Sequence, residues 1–280
     1  MKKVLKWLGF VLGGVVGLVL LALVAVYLLS WHEFSRHYTA AAQPAIALPT
    51  DAESIAAGAH LASVHGCNGC HGADLEGGQV FDVPHLLRSV APNISGAAGK
   101  YTTEQLVTVI RQGIRPDGTA VWIMPSAMYQ HLNDADLARL VAYVRSVPAR
   151  DGTHDVSDFR LGARAIIAIG ALESQAKQIA AASPAAAPGD PDDPVHRGRY
   201  LVMSSCTECH GQKLEGSDLT KAPPLIVAKG YSSADFTTLM HTGIALGGRK
   251  LELMREVANS RFAHFTDQEL SDVYTFLQSR

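Results

Sequence analysis

Cysteine is scarce in this chain, four residues in 280, and charge is sparse at 18%. Four cysteines are too few to staple a protein of this length as a disulfide scaffold. A formal net charge of −2, with no basic run beyond Lys2, Lys3 and Lys6, argues against a nucleic-acid binder. No phosphate-binding glycine loop, catalytic triad or additional metal cluster stands out. The low charge does not mean disorder, because 48% of the residues are hydrophobic and can bury a core. The length suits about two domains, at roughly 100–200 residues each.

What is present begins at the amino terminus. Residues 7–31 carry no charge, and about 20 apolar residues suffice for a helix to cross a bilayer core. The three preceding lysines belong on the cytoplasmic side. Trp7, Tyr27 and Trp31 fall near the ends, where aromatic rings suit the interface. A cleaved signal peptide is the alternative, with the alanines at 40–42 as its site. Signal h-regions run only about 7–15 residues, so the expectation is an uncleaved, single-pass anchor over 7–31. The rest of the chain then lies on the periplasmic side of an inner (cytoplasmic) membrane.

The four cysteines occur as Cys67-Asn68-Gly69-Cys70-His71 and Cys206-Thr207-Glu208-Cys209-His210. Both are C-x-x-C-H, the attachment signal of c-type haem. Two thiols at this spacing add to the two vinyl groups of one haem, and the next residue, histidine, lies under the iron as proximal ligand. A zinc site could use the four thiolates, and a redox pair or disulfide could use each C-x-x-C. Neither requires a histidine after the second cysteine in both copies. The expectation is two covalently bound haem c groups, on Cys67, Cys70 and His71 and on Cys206, Cys209 and His210.

The motifs sit in an internal repeat with an offset of 139 residues. Gly58 and Leu61 before the first answer to Gly198 and Leu201 before the second, with one residue of slip. Thr103 to Gly113 answers to Ser233 to Gly243, and Asp134 to Val144 to Asp267 to Leu277. The copies read as helical. Thr102 with Gln105, and Thr266 with Glu269, have capping-box spacing. Leu137, Leu140, Val141 and Val144 form an apolar stripe, as do Leu270, Val273 and Leu277; Pro148 ends the first of these helices. Residues 51–66 and 195–205 read as helices leading into the motifs, and no convincing run of strands is visible. Domain 1 is placed at 51–150 and domain 2 at 195–280. Between them, 151–194 is an acidic linker with a possible helix from Ala165 to Ala182 and a Pro-, Ala- and Asp-rich tail over 183–194.

An iron that only moves electrons needs a sixth ligand, and methionine there raises the potential. Of six methionines, Met1 is cytoplasmic, Met203 precedes its motif closely, and Met240 lies in a predicted helix soon after His210. Met124 and Met254 remain, each in the gap before the last capped helix of its copy, with Met128 nearly as well placed as Met124. His85, His131, His241 and His264 are rivals, read as surface or partly buried histidines.

These residues resemble the class I cytochrome c family over about residues 51–150 and 195–280. The resemblance implies an all-α fold, two tandem cytochrome c domains after the N-terminal transmembrane helix. It implies a crossing of first and last helices at Gly58 with Tyr143 and Gly198 with Phe276. It also implies a proline carbonyl holding each proximal imidazole, with Pro84 and Pro223 as candidates. A narrower resemblance joins Ala91-Pro-Asn-Ile-Ser, Arg111-Gln-Gly-Ile-Arg-Pro-Asp-Gly, Met124-Pro-Ser and Leu132-Asn-Asp-Ala-Asp-Leu to the cytochrome subunits of periplasmic alcohol, aldehyde and sugar-acid dehydrogenases. Those subunits usually carry three haems; two motifs are present here. The function implied is electron transfer without catalysis by this chain. The partners expected are a quinol oxidoreductase, a dehydrogenase or a terminal oxidase, together with the membrane, and no small-molecule substrate. The alternative is a dihaem peroxidase-like or dehydrogenase-associated haem oxidoreductase, which needs an iron with an open or displaceable site.

Overall fold

The computed structural model describes residues 2–152, 155–182, 189–218 and 220–280. Its first element, α1 (Lys2–Phe34), contains the whole uncharged stretch. Among the described residues it is the one helix long and apolar enough to cross a membrane.

In the first copy, α2 (Ala52–Val64) starts at Asp51, whose carboxylate accepts from Ser54 N–H. The chain then turns at Gly66, φ 78°, a left-handed conformation that glycine takes without steric cost, into α3 (Cys67–His71). A hairpin follows, β1 (Gly78–Val83) antiparallel to β2 (Leu87–Ala91). Three helices come next, α4 (Ala97–Lys100), α5 (Thr103–Gln112) and α6 (Ser126–Tyr129). The last, α7 (Asp134–Ser146), is capped by Asn133. The expected capping box at Thr102 and Gln105 is formed.

Residues between the copies add β3 (Asp158–Phe159), which pairs with β2, then α8 (Leu161–Ala168) and α9 (Gln175–Ala181). The single helix expected from Ala165 to Ala182 is therefore two. Gly170 adopts φ 74° and breaks it, and Ser174 caps a new start by accepting from Lys177 N–H. Of the Pro-, Ala- and Asp-rich tail, 183–188 lies outside the described residues.

The second copy repeats the plan with α10 (Pro194–Ser205), α11 (Thr207–His210) and α12 (Ser233–Thr242). Then come a short ribbon, β4 (Ile244–Ala245) and β5 (Arg249–Lys250), and the helices α13 (Glu252–Ser260) and α14 (Asp267–Ser279). The Thr266–Glu269 capping box is also formed. Gly113 and Gly243, matched in the repeat, end α5 and α12 in the same left-handed conformation, each with φ 66°. The fold is predominantly helical, as expected, with a three-stranded sheet that sequence reading did not see.

In each copy the first and last helices cross, α2 on α7 and α10 on α14. Gly58 and Gly198 lie at the crossings. A Cβ at Gly58 would overlap the Arg139 carbonyl and lie 2.8 Å from Tyr143 Cβ. One at Gly198 would overlap the Asp272 carbonyl and lie 2.8 Å from Phe276 Cβ. Two cores result. One gathers Leu75, Leu106, Met128, Leu137, Leu140 and Val141; the other gathers Val202, Leu214, Phe236, Met240, Phe262 and Val273.

Candidate haem sites

Each C-x-x-C-H forms one short helix at the end of its copy's first helix. That placement turns the histidine toward a proline carbonyl further along the chain. His71 Nδ1 donates to the Pro92 carbonyl at 2.9 Å, and His210 Nδ1 donates to the Pro223 carbonyl at 2.7 Å. With Nδ1 so occupied, Nε2 is the nitrogen left to bind iron, and the ring cannot rotate away. The second proline is the expected one. The first is Pro92 rather than Pro84, because the β1–β2 hairpin lengthens that loop and carries Pro84 to its tip. Burial lowers the pKa of both histidines against the pull of the carbonyl bond, which keeps Nε2 unprotonated and able to ligate.

Burial pushes the thiols up, Cys67 and Cys206 to about 12 and Cys209 to about 11, with Cys70 moved the same way. Thiols held neutral among apolar groups are poor thiolate donors to zinc. They suit conversion to neutral thioethers. Among the described residues no group of three or more His, Cys, Asp or Glu side chains converges on a metal position, so the two C-x-x-C pairs do not meet as one tetrathiolate. Histidine with its ligating nitrogen free, paired thiols and an apolar wall together fit covalently held haem.

The methionines divide by burial in the same way in both copies. Met128 is 1% exposed in its core, and Met240 is 4% exposed in the other. Met124 and Met254 only edge those cores and are partly open. Met124 lies in the turn ahead of α6 and Met254 in the first turn of α13. Among the rival histidines, His131 is committed to Gln212 at 2.8 Å. His85, at the hairpin tip with φ 62°, and His241 and His264 are exposed.

Sequence reading missed the seam between the copies. His65 precedes the first motif and Ser205 the second; His65 Nδ1 and Ser205 Oγ are hydrogen-bonded at 3.2 Å, both residues buried. Tyr129 donates to the His65 carbonyl at 2.8 Å, Tyr200 to Asp136 at 2.7 Å, and Gln212 Nε2 to the Ala127 carbonyl at 3.0 Å. Arg261 packs against Gly66 and pairs with Glu208, inside the second motif, at 2.6 Å. The repeat pattern does not signal the contacts that cross between copies (His65 with Ser205, Tyr200 with Asp136, Gln212 with Ala127 and Arg261 with Gly66), because the partners have no matched counterpart within one copy; Tyr129 supports His65 from within the first copy.

A cytochrome c family model matches residues 55–148 and 195–280. The fructose dehydrogenase cytochrome subunit of Gluconobacter japonicus is 28% identical over 273 residues, covering 85% of this chain and 55% of that protein. The cytochrome c subunit of a quinone-type alcohol dehydrogenase from Gluconobacter oxydans is 24% identical over 243 residues, covering 82% and 47%. A diheme cytochrome c-type protein of Cereibacter sphaeroides is 27% identical over 160 residues, covering 52% and 53%. The chain thus spans about half the length of the curated relatives it matches.

Proposed function

Because the chain belongs to the cytochrome c family, we propose that it is a membrane-anchored carrier that passes single electrons between redox proteins. Its cofactors are two covalently bound haem c groups. When bound, each supplies an iron that alternates between ferric and ferrous states. Cys67 and Cys70, and Cys206 and Cys209, form the thioethers. His71 and His210 bind from the proximal side, oriented by the Pro92 and Pro223 carbonyls. Met124 and Met254 would be the methionine ligands, because they lie at the partly open edge of the cores while Met128 and Met240 are buried in packing. With histidine and methionine both held by this chain, the haems would serve electron transfer rather than peroxide chemistry.

The observation that carries this reading is the duplicated arrangement of a paired-thiol turn and a histidine whose Nδ1 is tied to a proline carbonyl. A dehydrogenase is the partner that the relatives' names support. On this reading α1 keeps the carrier at the inner membrane with its haem domains on the periplasmic side, raising the local concentration of membrane partners. The test is a redox titration followed by visible and near-infrared spectra. Two low-spin, high-potential centres are expected, each with the weak methionine–iron charge-transfer band. A high-spin resting spectrum with rapid peroxide turnover overturns the carrier reading.

A further inference from the structure

The link between the copies is more apolar than a solvated tether requires. From 161 to 172 it reads Leu-Gly-Ala-Arg-Ala-Ile-Ile-Ala-Ile-Gly-Ala-Leu, with Arg164 as its one charge. Helix α8 packs against the far end of α1, and its Ala163 and Ile167, one turn apart, are 1% and 2% exposed. On α1, Val26 is partly buried and Ser30 buried, while most of the span is open. Arg164 is spent inward. Its Nη1 donates to Ser30 Oγ at 3.1 Å and its Nε to the Phe159 carbonyl at 3.0 Å. Its guanidinium lies 5.0 Å from the Tyr27 ring centroid and 5.2 Å from that of Phe34. The outer surface is left without charge, with Leu161 55% and Ile169 79% exposed. Charged residues resume at once on either side: Arg160 bridges to Asp82 before the run, and Lys177 pairs with Glu173 after it.

We propose that residues 161–172 lie in the outer leaflet beside α1, as a second contact with lipid that does not cross the membrane. The inference rests on α1 being a membrane anchor. The exposed Leu161 and Ile169 belong to a segment packed against the end of α1 whose Tyr27, Leu28 and Trp31 are also exposed; the bilayer that covers α1 therefore reaches this segment, so lipid is its occupant. The depth agrees. Tyr27 lies four residues before Trp31, about 6 Å down the helix axis, and interfacial helices settle about 5–10 Å into the headgroup boundary. Phe34 then meets Trp122 and Phe159 edge-on, each with ring centroids 5.0 Å away. Trp122 is two residues ahead of Met124, so the first domain is fixed to the anchor at a set height rather than swinging from it.

The experiment uses the haem-loaded full chain in phosphatidylethanolamine–phosphatidylglycerol vesicles. Spin labels are placed on Ile169→Cys, Leu20→Cys and Thr238→Cys, one at a time. Collisional accessibility to oxygen and to a water-soluble nickel chelate is read by electron paramagnetic resonance. Because Ile169 is exposed, its substitution leaves the packing intact. The expected result is an oxygen-to-nickel ratio at 169 raised several-fold over that at 238, toward the value at 20. A label at 169 that behaves as at 238, while 20 is lipid-protected, overturns the second contact and leaves the anchor standing. A label at 20 that is open to nickel overturns the anchor and the second contact together.

Discussion

His65 Nδ1 and Ser205 Oγ meet at 3.2 Å across the seam, two residues ahead of Cys67 and one ahead of Cys206. The two attachment turns are thereby tied through one buried hydrogen bond. His65 Nε2 has no hydrogen-bond partner among the described residues, so the ring is satisfied through this bond and the Ser204 backbone. Ser205→Ala removes the ring's side-chain partner across the seam, and weakening the satisfaction of a buried polar group costs about 1–3 kcal/mol. The loss should appear as a lower urea midpoint with an unchanged slope.

The same histidine sets an acid limit. Burial holds its pKa down at about 4, from an ordinary 6.5. Between these values the unfolded chain takes a proton that the folded chain refuses, so stability falls as pH drops from about 6.5 to about 4. A shift of this size corresponds to at most about 3 kcal/mol. Replacing His65 with Asn should flatten that stretch of the stability–pH curve, and an unchanged curve would place the acid sensitivity elsewhere.

The helix crossings tolerate no side chain. Gly58→Ala and Gly198→Ala each drive a methyl into a carbonyl of the crossing helix, at Arg139 or Asp272. Overpacking of this kind costs about 1–3 kcal/mol. Thermal melts of haem-loaded protein should show lower midpoints for both. Because each crossing lies within one copy, the two losses should add in the double variant.

The attachment turns and both capping boxes were legible in the sequence, since each depends on residues close in the chain, whereas the crossings at Gly58 with Tyr143 and Gly198 with Phe276, 85 and 78 residues apart, were expected only from the resemblance to class I cytochrome c. Pro92 was not. The offset of 139 holds through the motif and fails once the β1–β2 hairpin intervenes, so the histidine-to-carbonyl separation is 21 residues in one copy and 13 in the other. Phe81 and Val83 are exposed, so these strands lack the buried alternation by which half-buried strands are read. The break in the 165–182 helix turns on the left-handed Gly170, and glycine inside an apolar helical pattern is a weak stop on its own.

A second seam contact has the opposite pH sign. His60 Nε2 lies 2.9 Å from Glu269, and that hydrogen bond raises the histidine's pKa. Burial pushes the Glu269 carboxyl up, but hydrogen bonds from His60 and Thr266 outweigh it and leave the pKa lowered. The histidine's share is full below 6.5 and is lost as pH rises through its raised value. The carboxylate's share is present above 4.5 and is lost as pH falls through its lowered value. The pair therefore holds the copies together best between about 4.5 and 6.5. Glu269→Gln removes the charge yet keeps the capping box, since Gln105 fills the same role in α5. Protection factors at the start of α14, taken relative to intrinsic exchange rates, should then no longer fall as pH rises above neutrality.

The proposed methionine ligands are tested by what their loss removes. Met124→Ala or Met254→Ala should abolish the methionine–iron band of one haem and lower that haem's potential, leaving the other centre unchanged. Met128→Leu conserves volume inside the core formed by Leu75, Leu137 and Leu140 and should cost less than about 1.5 kcal/mol, with both bands intact. If the band survives Met124→Ala and disappears with Met128→Leu, the ligand is Met128, and α6 must shift to release it from the core. The paired measurement distinguishes loss of ligation from loss of folding. Far-UV circular dichroism reports the helices in all three variants, while the near-infrared band reports only the sulfur on the iron.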